Sequence, residues 1–279
     1  MKDDLDKLLF ALNQEMALEN IPFAARSFQA ALPIKKYDGY KVHSSEFDSK
    51  IAKRFSELYP EFAKTWQGMG TGFVSSLDRV RHISLGVVFG TVRLDTKRIC
   101  GFNSDSEFEQ FCQFRTDIME QVSAQALTVL LFNNVSIGKI ADATAGAYWE
   151  RALSYMHAIS MNLANTYHVG FSSSETWLVF EYAAKSVLAS HGHDPSSLRN
   201  LNHNKDRVLK ALSQISDSNT TQELNNICNC LPDYTHSRYN EPKRSRIDVI
   251  RRADAAQFGL ANLAKFHEPA LDRLQIETV

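Results

Sequence analysis

The residue types best suited to chemistry concentrate in one short stretch, LPDYTHSRYNEPKRSRIDVIRR, Leu231–Arg252. Between Arg238 and Arg252 six basic residues stand against two acids, Glu241 and Asp248, a net of about +4 in fifteen residues. Arginine forks bind phosphate oxygens bidentately, and a tyrosine or histidine beside them can stack on a base. The helix expected from about Ile247 would add its free backbone amides. Arg238, Tyr239, Lys243, Arg244, Arg246, Arg251 and Arg252 are therefore the candidate phosphate-binding edge. The alternatives are a solvated helix edge or a surface that pairs with acids on a partner subunit.

Other constellations are poorer. Cys228-Asn-Cys230 lacks the second ligand pair of a tetrahedral zinc site. His191-Gly-His193-Asp194 with His203 has metal-ligand residue types, but Asp194-Pro195 also reads as a turn before a helix. No metal and no cofactor is assigned. GMGTG at 68–72 lacks the Gly-Lys-Ser/Thr ending of a phosphate loop and reads as a flexible break. Neither a Gly-x-Ser-x-Gly elbow nor a His-Glu-x-x-His motif occurs, so the familiar hydrolase chemistries have no support. Four scattered cysteines argue against a disulfide framework and for a reducing compartment.

The elements that must position these residues are mainly helical. Leu5, Leu8, Leu9, Leu12 and Met16 recur at helical spacing, as do Phe47, Ile51, Phe55 and Leu58 after a serine cap, with a short helix expected between them over 28–32. Asp38-Gly39 reads as a turn. The run 73–94 suits either a helix or a strand pair. Asn103-Ser104-Asp105 opens one core helix carrying Phe108, Phe111, Ile118, Val122, Ala126 and Val129 to about Asn133. Beyond Thr144 long helices follow: 147–167, one capped by Ser172-Ser173-Ser174-Glu175 and running to Leu188, and one from Ile247 to His267. SDSNTT at 216–221 reads as a linker.

A length of 279 residues allows two domains, and a hydrophobic content of 44% supports a folded chain. The formal net charge of −1 supplies no global field for nucleic acid, so such binding must rest on a local patch. Acids stand where a signal peptide carries positive charge, and no apolar run reaches the ~18 residues of a membrane span. The expectation is a cytoplasmic protein with no membrane partner.

From Ala147 to Phe266 the chain resembles the HEPN domains, small four- or five-helix bundles often found beside nucleotidyltransferases and in prokaryotic defence systems. The resemblance lies in YWERALSYMHAISMNLA, in ETWLVFEYAAKSVLASHG, in Asn202-His203 where many members have Thr-His-Asp, in DRVLKALSQI, and in a Ser237-Arg238-Tyr239 turn before the last helix. It implies a HEPN-like bundle over 144–268 with a tail over 269–279; with the helical spacing before it, read as a mostly helical N-terminal domain of unknown type over 1–140, the expected fold is all-α. The resemblance adds Lys185 and His203 to the binding residues. It also implies a nucleic-acid or nucleotide-binding module, expected to be non-catalytic, in a prokaryotic defence or toxin–antitoxin setting, with RNA or a nucleotide as ligand and a homodimer or partner protein. Ribonuclease members carry an arginine and, four to six residues on, a histidine near the start of a late helix. Here that helix has Arg251 and Arg252 but no histidine before His267. Arg151 and His157 have the spacing, on the bundle's first helix, where six residues turn them about 120° apart. They are the weak catalytic candidates for the alternative, a metal-independent ribonuclease acting as a dimer. A pure interaction or dimerisation module is the other alternative.

Overall fold

The computed structural model describes residues 2–19, 21, 26–37, 45–59, 70–85, 95–135, 140–165, 170–234 and 244–269. Among them the fold is mainly helical, with twelve helices and one two-stranded sheet. No described helix is long and apolar enough to cross a membrane. The chain forms two compact units, Met1–Gly68 and Met69–Val279.

The first unit contains α1 (Lys2–Leu18), α2 (Arg26–Tyr37) and α3 (Ser45–Leu58). Its core is Leu9, Met16, Ala30, Ala31, Ile34, Ile51 and Phe55, drawn from the helical spacing of all three segments. The α2 helix runs beyond the 28–32 segment expected of it. Arg54 of α3 donates Nε to Asp6 of α1 at 2.7 Å and also pairs with Glu57, which fixes the two helices in register. The expected Asp38-Gly39 turn lies outside the described residues.

The second unit opens with a hairpin, which settles the ambiguous run in favour of strands over 70–85; residues 86–94 lie outside the described set. Strands β1 (Gly70–Ser76) and β2 (Arg79–Leu85) are antiparallel, paired from Gly70↔Leu85 to Ser76↔Arg79. Helices α4 (Thr96–Ile99), α5 (Asp105–Phe111), α6 (Thr116–Asn133), α7 (Ala143–Asn165), α8 (Gly170–Ser190), α9 (Pro195–Asn200), α10 (Lys205–Leu212), α11 (Ser218–Cys230) and α12 (Arg246–His267) follow. One core joins Phe73, Val129 and Phe132 to Trp149, Trp177, Phe180 and Leu260. The boundary expected near residue 140 is therefore corrected to 68/69: the hairpin and α6 bury their apolar faces in the same core as the later helices.

The β1 strand is buried on both faces, and its outer edge meets side-chain amides instead of a third strand. Asn133 accepts from Thr71 N–H and donates to Thr71 O, both at 3.2 Å. Gln257 does the same for Phe73, at 3.0 and 3.1 Å. Gln125 accepts from Ser75 N–H at 2.8 Å and donates to Ser75 Oγ at 3.0 Å. Alternate residues of the edge are thus satisfied by α6 and α12, as buried backbone groups require. Gly70 and Gly72 belong to this contact and are not a flexible break. A Cβ on Gly72 would lie 2.4 Å from Val129, and one on Gly70 2.5 Å from Asn133.

Three further expectations change. The helix read from 105 to 133 is two helices, because Gln113 and Phe114 adopt φ of 56° and 55° and Phe114 N–H returns to Glu109 O at 2.8 Å. The serines 172–174 lie inside α8 and do not cap it. The supposed linker at 216–221 opens α11, with Asp217 as N-cap accepting from Thr220 N–H. The last helix matches its expectation, capped by Ser245 and burying Val249, Ile250, Ala253, Ala256, Leu260 and Leu263.

Candidate functional site

Of the basic edge, Arg238, Tyr239 and Lys243 lie outside the described residues. Arg246 donates Nε to Asp78 O at 2.8 Å and Nη2 to Leu163 O at 2.5 Å, pinning the hairpin turn and the end of α7 to the start of α12. Arg252 donates to Ser173 Oγ at 3.1 Å. Two of the four described arginines therefore direct fork donors into the protein, while Arg244 and Arg251 are exposed. The described residues do not assemble a row of solvent-facing forks.

A different cluster forms around α8. Glu181 is fully buried, an expensive place for a carboxylate unless it is paired. The Lys185 ammonium, one turn on, lies 2.6 Å from its Oε1, an ion pair outside hydrogen-bonding geometry. His203 Nδ1 lies 2.6 Å from Oε2. An ionised carboxylate only accepts, so Nδ1 donates, and in the neutral ring Nε2 is left as the acceptor. Lys185 and His203, both expected binding residues, are brought together by a glutamate that the sequence reading did not single out.

The turn carrying His203 is strained. Asn202 and His203 have φ of 47° and 55°, in the left-handed region where a residue with a Cβ costs roughly 1–2 kcal/mol. The Glu181 bond and the Tyr234 ring, 4.5 Å away centre to centre, hold it there. Lys205 anchors the backbone three residues before Tyr234. Its ammonium donates to Cys228 O at 3.0 Å and to Leu231 O, tying the end of α11 to the start of α10. Burial lowers the pKa of this half-buried lysine.

A tyrosine stack adjoins the carboxylate. Tyr148 and Tyr155, seven residues apart on one face of α7, flank Tyr182 of α8. The ring centres lie 6.0 and 5.6 Å from Tyr182, with interplanar angles of 25° and 9°. All three rings are half-buried. Exposed Arg151 places its guanidinium 6.0 Å from the Tyr148 centre and 5.9 Å from that of Tyr182. Lys185 Nζ lies 5.9 Å from the Tyr182 ring, which joins stack and carboxylate into one site. Burial, then Glu181, raises the Tyr182 pKa; burial, then Tyr182, raises that of Tyr155, so both phenols are neutral at pH 7. The arrangement offers an aromatic platform, a phosphate-seeking fork and a carboxylate-oriented imidazole.

Arg151 and His157 do not form a pair. Arg151 faces the tyrosines, whereas His157 packs against His82 of β2 with ring centres 5.7 Å apart. The His191-His193-Asp194-His203 constellation is not assembled either. His191 Nδ1 bonds Val187 O, Asp194 caps α9, and no group of three His, Cys, Asp or Glu that could hold a metal occurs among the described residues. Two weak signals of the real cluster were present in the sequence: the heptad spacing of Tyr148 and Tyr155, and the Glu181–Lys185 pair four residues apart. The chain matches no protein-family model, no curated protein and no solved structure.

Proposed function

We propose that the second unit is a HEPN-like bundle that binds a nucleotide, free or within single-stranded RNA, at the Tyr148–Tyr182–Tyr155 stack. A prokaryotic defence or toxin–antitoxin setting is the one the resemblance implies. The observation that carries the binding role is Arg151 over two rings of a half-exposed tyrosine stack. The rings stack on a base, the Arg151 fork takes a phosphate, and Lys185 and His203 hold Glu181 and the neighbouring Tyr234 in place. Base–aromatic stacking is worth about 1–3 kcal/mol per base. Arg151→Ala and Tyr182→Ala are each expected to weaken binding of labelled single-stranded RNA or of a nucleoside phosphate by about ten-fold or more, given that range. Affinity for RNA falls with salt in proportion to the phosphates neutralised. Unchanged affinity in both variants would remove the proposal.

A second reading, metal-independent RNA cleavage, is favoured by one feature: a buried carboxylate orienting an imidazole leaves Nε2 poised as a general base. Incubation of labelled RNA with EDTA separates the readings. Cleavage that survives EDTA and is lost in His203→Asn supports the second; binding without cleavage supports the first. If neither occurs, a protein-interaction role becomes the better account of the bundle.

A further inference from the structure

A groove of about 610 Å³ between the end of α10 and α11 is lined by hydroxyl and carboxamide side chains, with no charged or aromatic residue among them. Its carboxamides are Gln222, Asn225, Asn226 and Asn229 of α11, all exposed and none with a hydrogen-bond partner among the described residues. The hydroxyls beside them are already engaged. Ser216 donates to Leu212 O at 2.9 Å, so its 2.7 Å contact with Thr221 is one that Thr221 donates, and Ser213 donates to Lys210 O at 2.9 Å. Asparagine is a poor helix former, and a face that only meets water is better made of lysine, glutamate or glutamine. Three asparagines on the open face of α11, with Leu224, Ile227 and Cys228 buried on the other, therefore point to a bonding partner.

The same molecule demonstrates what a row of helix-borne carboxamides can hold. Gln125 and Asn133, eight residues apart on α6, bond Ser75 and Thr71, four residues apart on β1. Eight helical residues rise about 12 Å and four extended residues span about 13 Å, so carboxamides at four-residue intervals keep step with alternate residues of an extended chain. Asn225 and Asn229 repeat that interval on α11, and so do Gln222 and Asn226. Each carboxamide offers an acceptor and a donor, the complement of a backbone N–H and C=O. We propose that this groove receives an extended segment of a partner protein and reads it through its main chain, as α6 reads β1. Charge selects that class of partner. The charged residues of α11 and its cap are both acids, Glu223 and Asp217, which disfavours a phosphate backbone and suits a neutral or basic polypeptide. With no aromatic ring in the lining, a nucleic-acid base has nothing to stack on.

The test selects phage-displayed random peptides of about ten residues, longer when extended than the roughly 20 Å of α11, on the purified full chain. Enriched sequences are then made synthetically and measured by fluorescence anisotropy. Asn225→Ala and Asn229→Ala are each expected to weaken binding by about five-fold or more, the worth of one or two hydrogen bonds. Both variants should keep or raise the melting temperature, because alanine is the better helix former and the free protein loses no bond. N-methylation of every second peptide amide should abolish binding in one frame and spare it in the other, since alternate residues of an extended segment face the helix. The proposal is overturned if no peptide enriches, if binding ignores both asparagines, or if the two methylation frames behave alike. A lower melting temperature in the asparagine variants would overturn it too, by making the amides structural. So would self-association of the chain, or RNA binding, that disappears in those variants, because the groove's occupant would then be a second copy or a nucleic acid.

Discussion

Replacing Gln257 with alanine removes the partner of a whole backbone unit. Its side-chain amide satisfies both the N–H and the C=O of Phe73, at 3.0 and 3.1 Å, where all participants are fully buried. Each orphaned group costs roughly 1–3 kcal/mol, so the loss should be about 2–6 kcal/mol, a large share of a domain's usual 5–15 kcal/mol. Urea denaturation followed by circular dichroism would show a lower midpoint with an unchanged slope, the sign of lost stability without a changed unfolded state. Gln257→Glu should be no better, because a carboxylate can accept from Phe73 N–H but cannot donate to Phe73 O. Asn133→Ala, whose two bonds to Thr71 are longer at 3.2 Å and only part-buried, should cost less. A Gln257→Ala loss below about 1 kcal/mol at constant slope would refute the reasoning, since it would mean the edge of β1 finds other partners at little cost.

Other perturbations follow from individual residues. Leu77, half exposed at the hairpin turn with φ of 57°, occupies a position where glycine is preferred; Leu77→Gly should raise the melting temperature, by about 1–3 °C for a gain of roughly 0.5–1 kcal/mol. Burial lifts the Asp254 pKa from 3.8 to about 6, so between those values the native state holds a proton that the unfolded chain has released. Stability should therefore fall as pH rises through that window, by up to about 3 kcal/mol, with solvent at this half-buried site trimming the figure. In Asp254→Asn that slope should vanish in denaturation curves taken at pH 4 and pH 7. Lys205→Met should cost about 1–3 kcal/mol by orphaning the Cys228 and Leu231 carbonyls, and loosening of the Tyr234 segment should appear as faster amide exchange there.

The long helices were legible because their apolar residues repeat at helical spacing and their caps are of the usual type, as with Ser104, Asp194 and Ser245. The hairpin was legible only as one of two options, because β1 is buried on both faces and so lacks the alternation that marks a half-buried strand. The break at Gln113–Phe114 contains neither glycine nor proline, and nothing local announces its left-handed backbone. The domain boundary was misplaced because apolar spacing shows that Val122 and Val129 are buried without showing against what; they share a core with Phe180 and Leu260. At the candidate site, resemblance supplied Lys185 and His203, but Glu181 reads as one member of an ordinary i,i+4 pair until the fold buries it. Charge density pointed to Arg246 and Arg252, yet charge alone cannot reveal that their forks reach Leu163 O and Ser173 Oγ.

The amide-sealed edge of β1 also sets a schedule for the ribosome. Phe73 waits for a partner 184 residues further along the chain, whereas Ser75 and Thr71 wait only 50 and 62. At roughly 5–20 residues per second, the middle of the strand stays open for roughly 10–40 s after its synthesis. During that interval an apolar hairpin presents an unpaired edge to its neighbours on the polysome. Chaperone demand should therefore concentrate on nascent chains shorter than about 260 residues, and slow codons between α6 and α12 should lower the yield of folded protein.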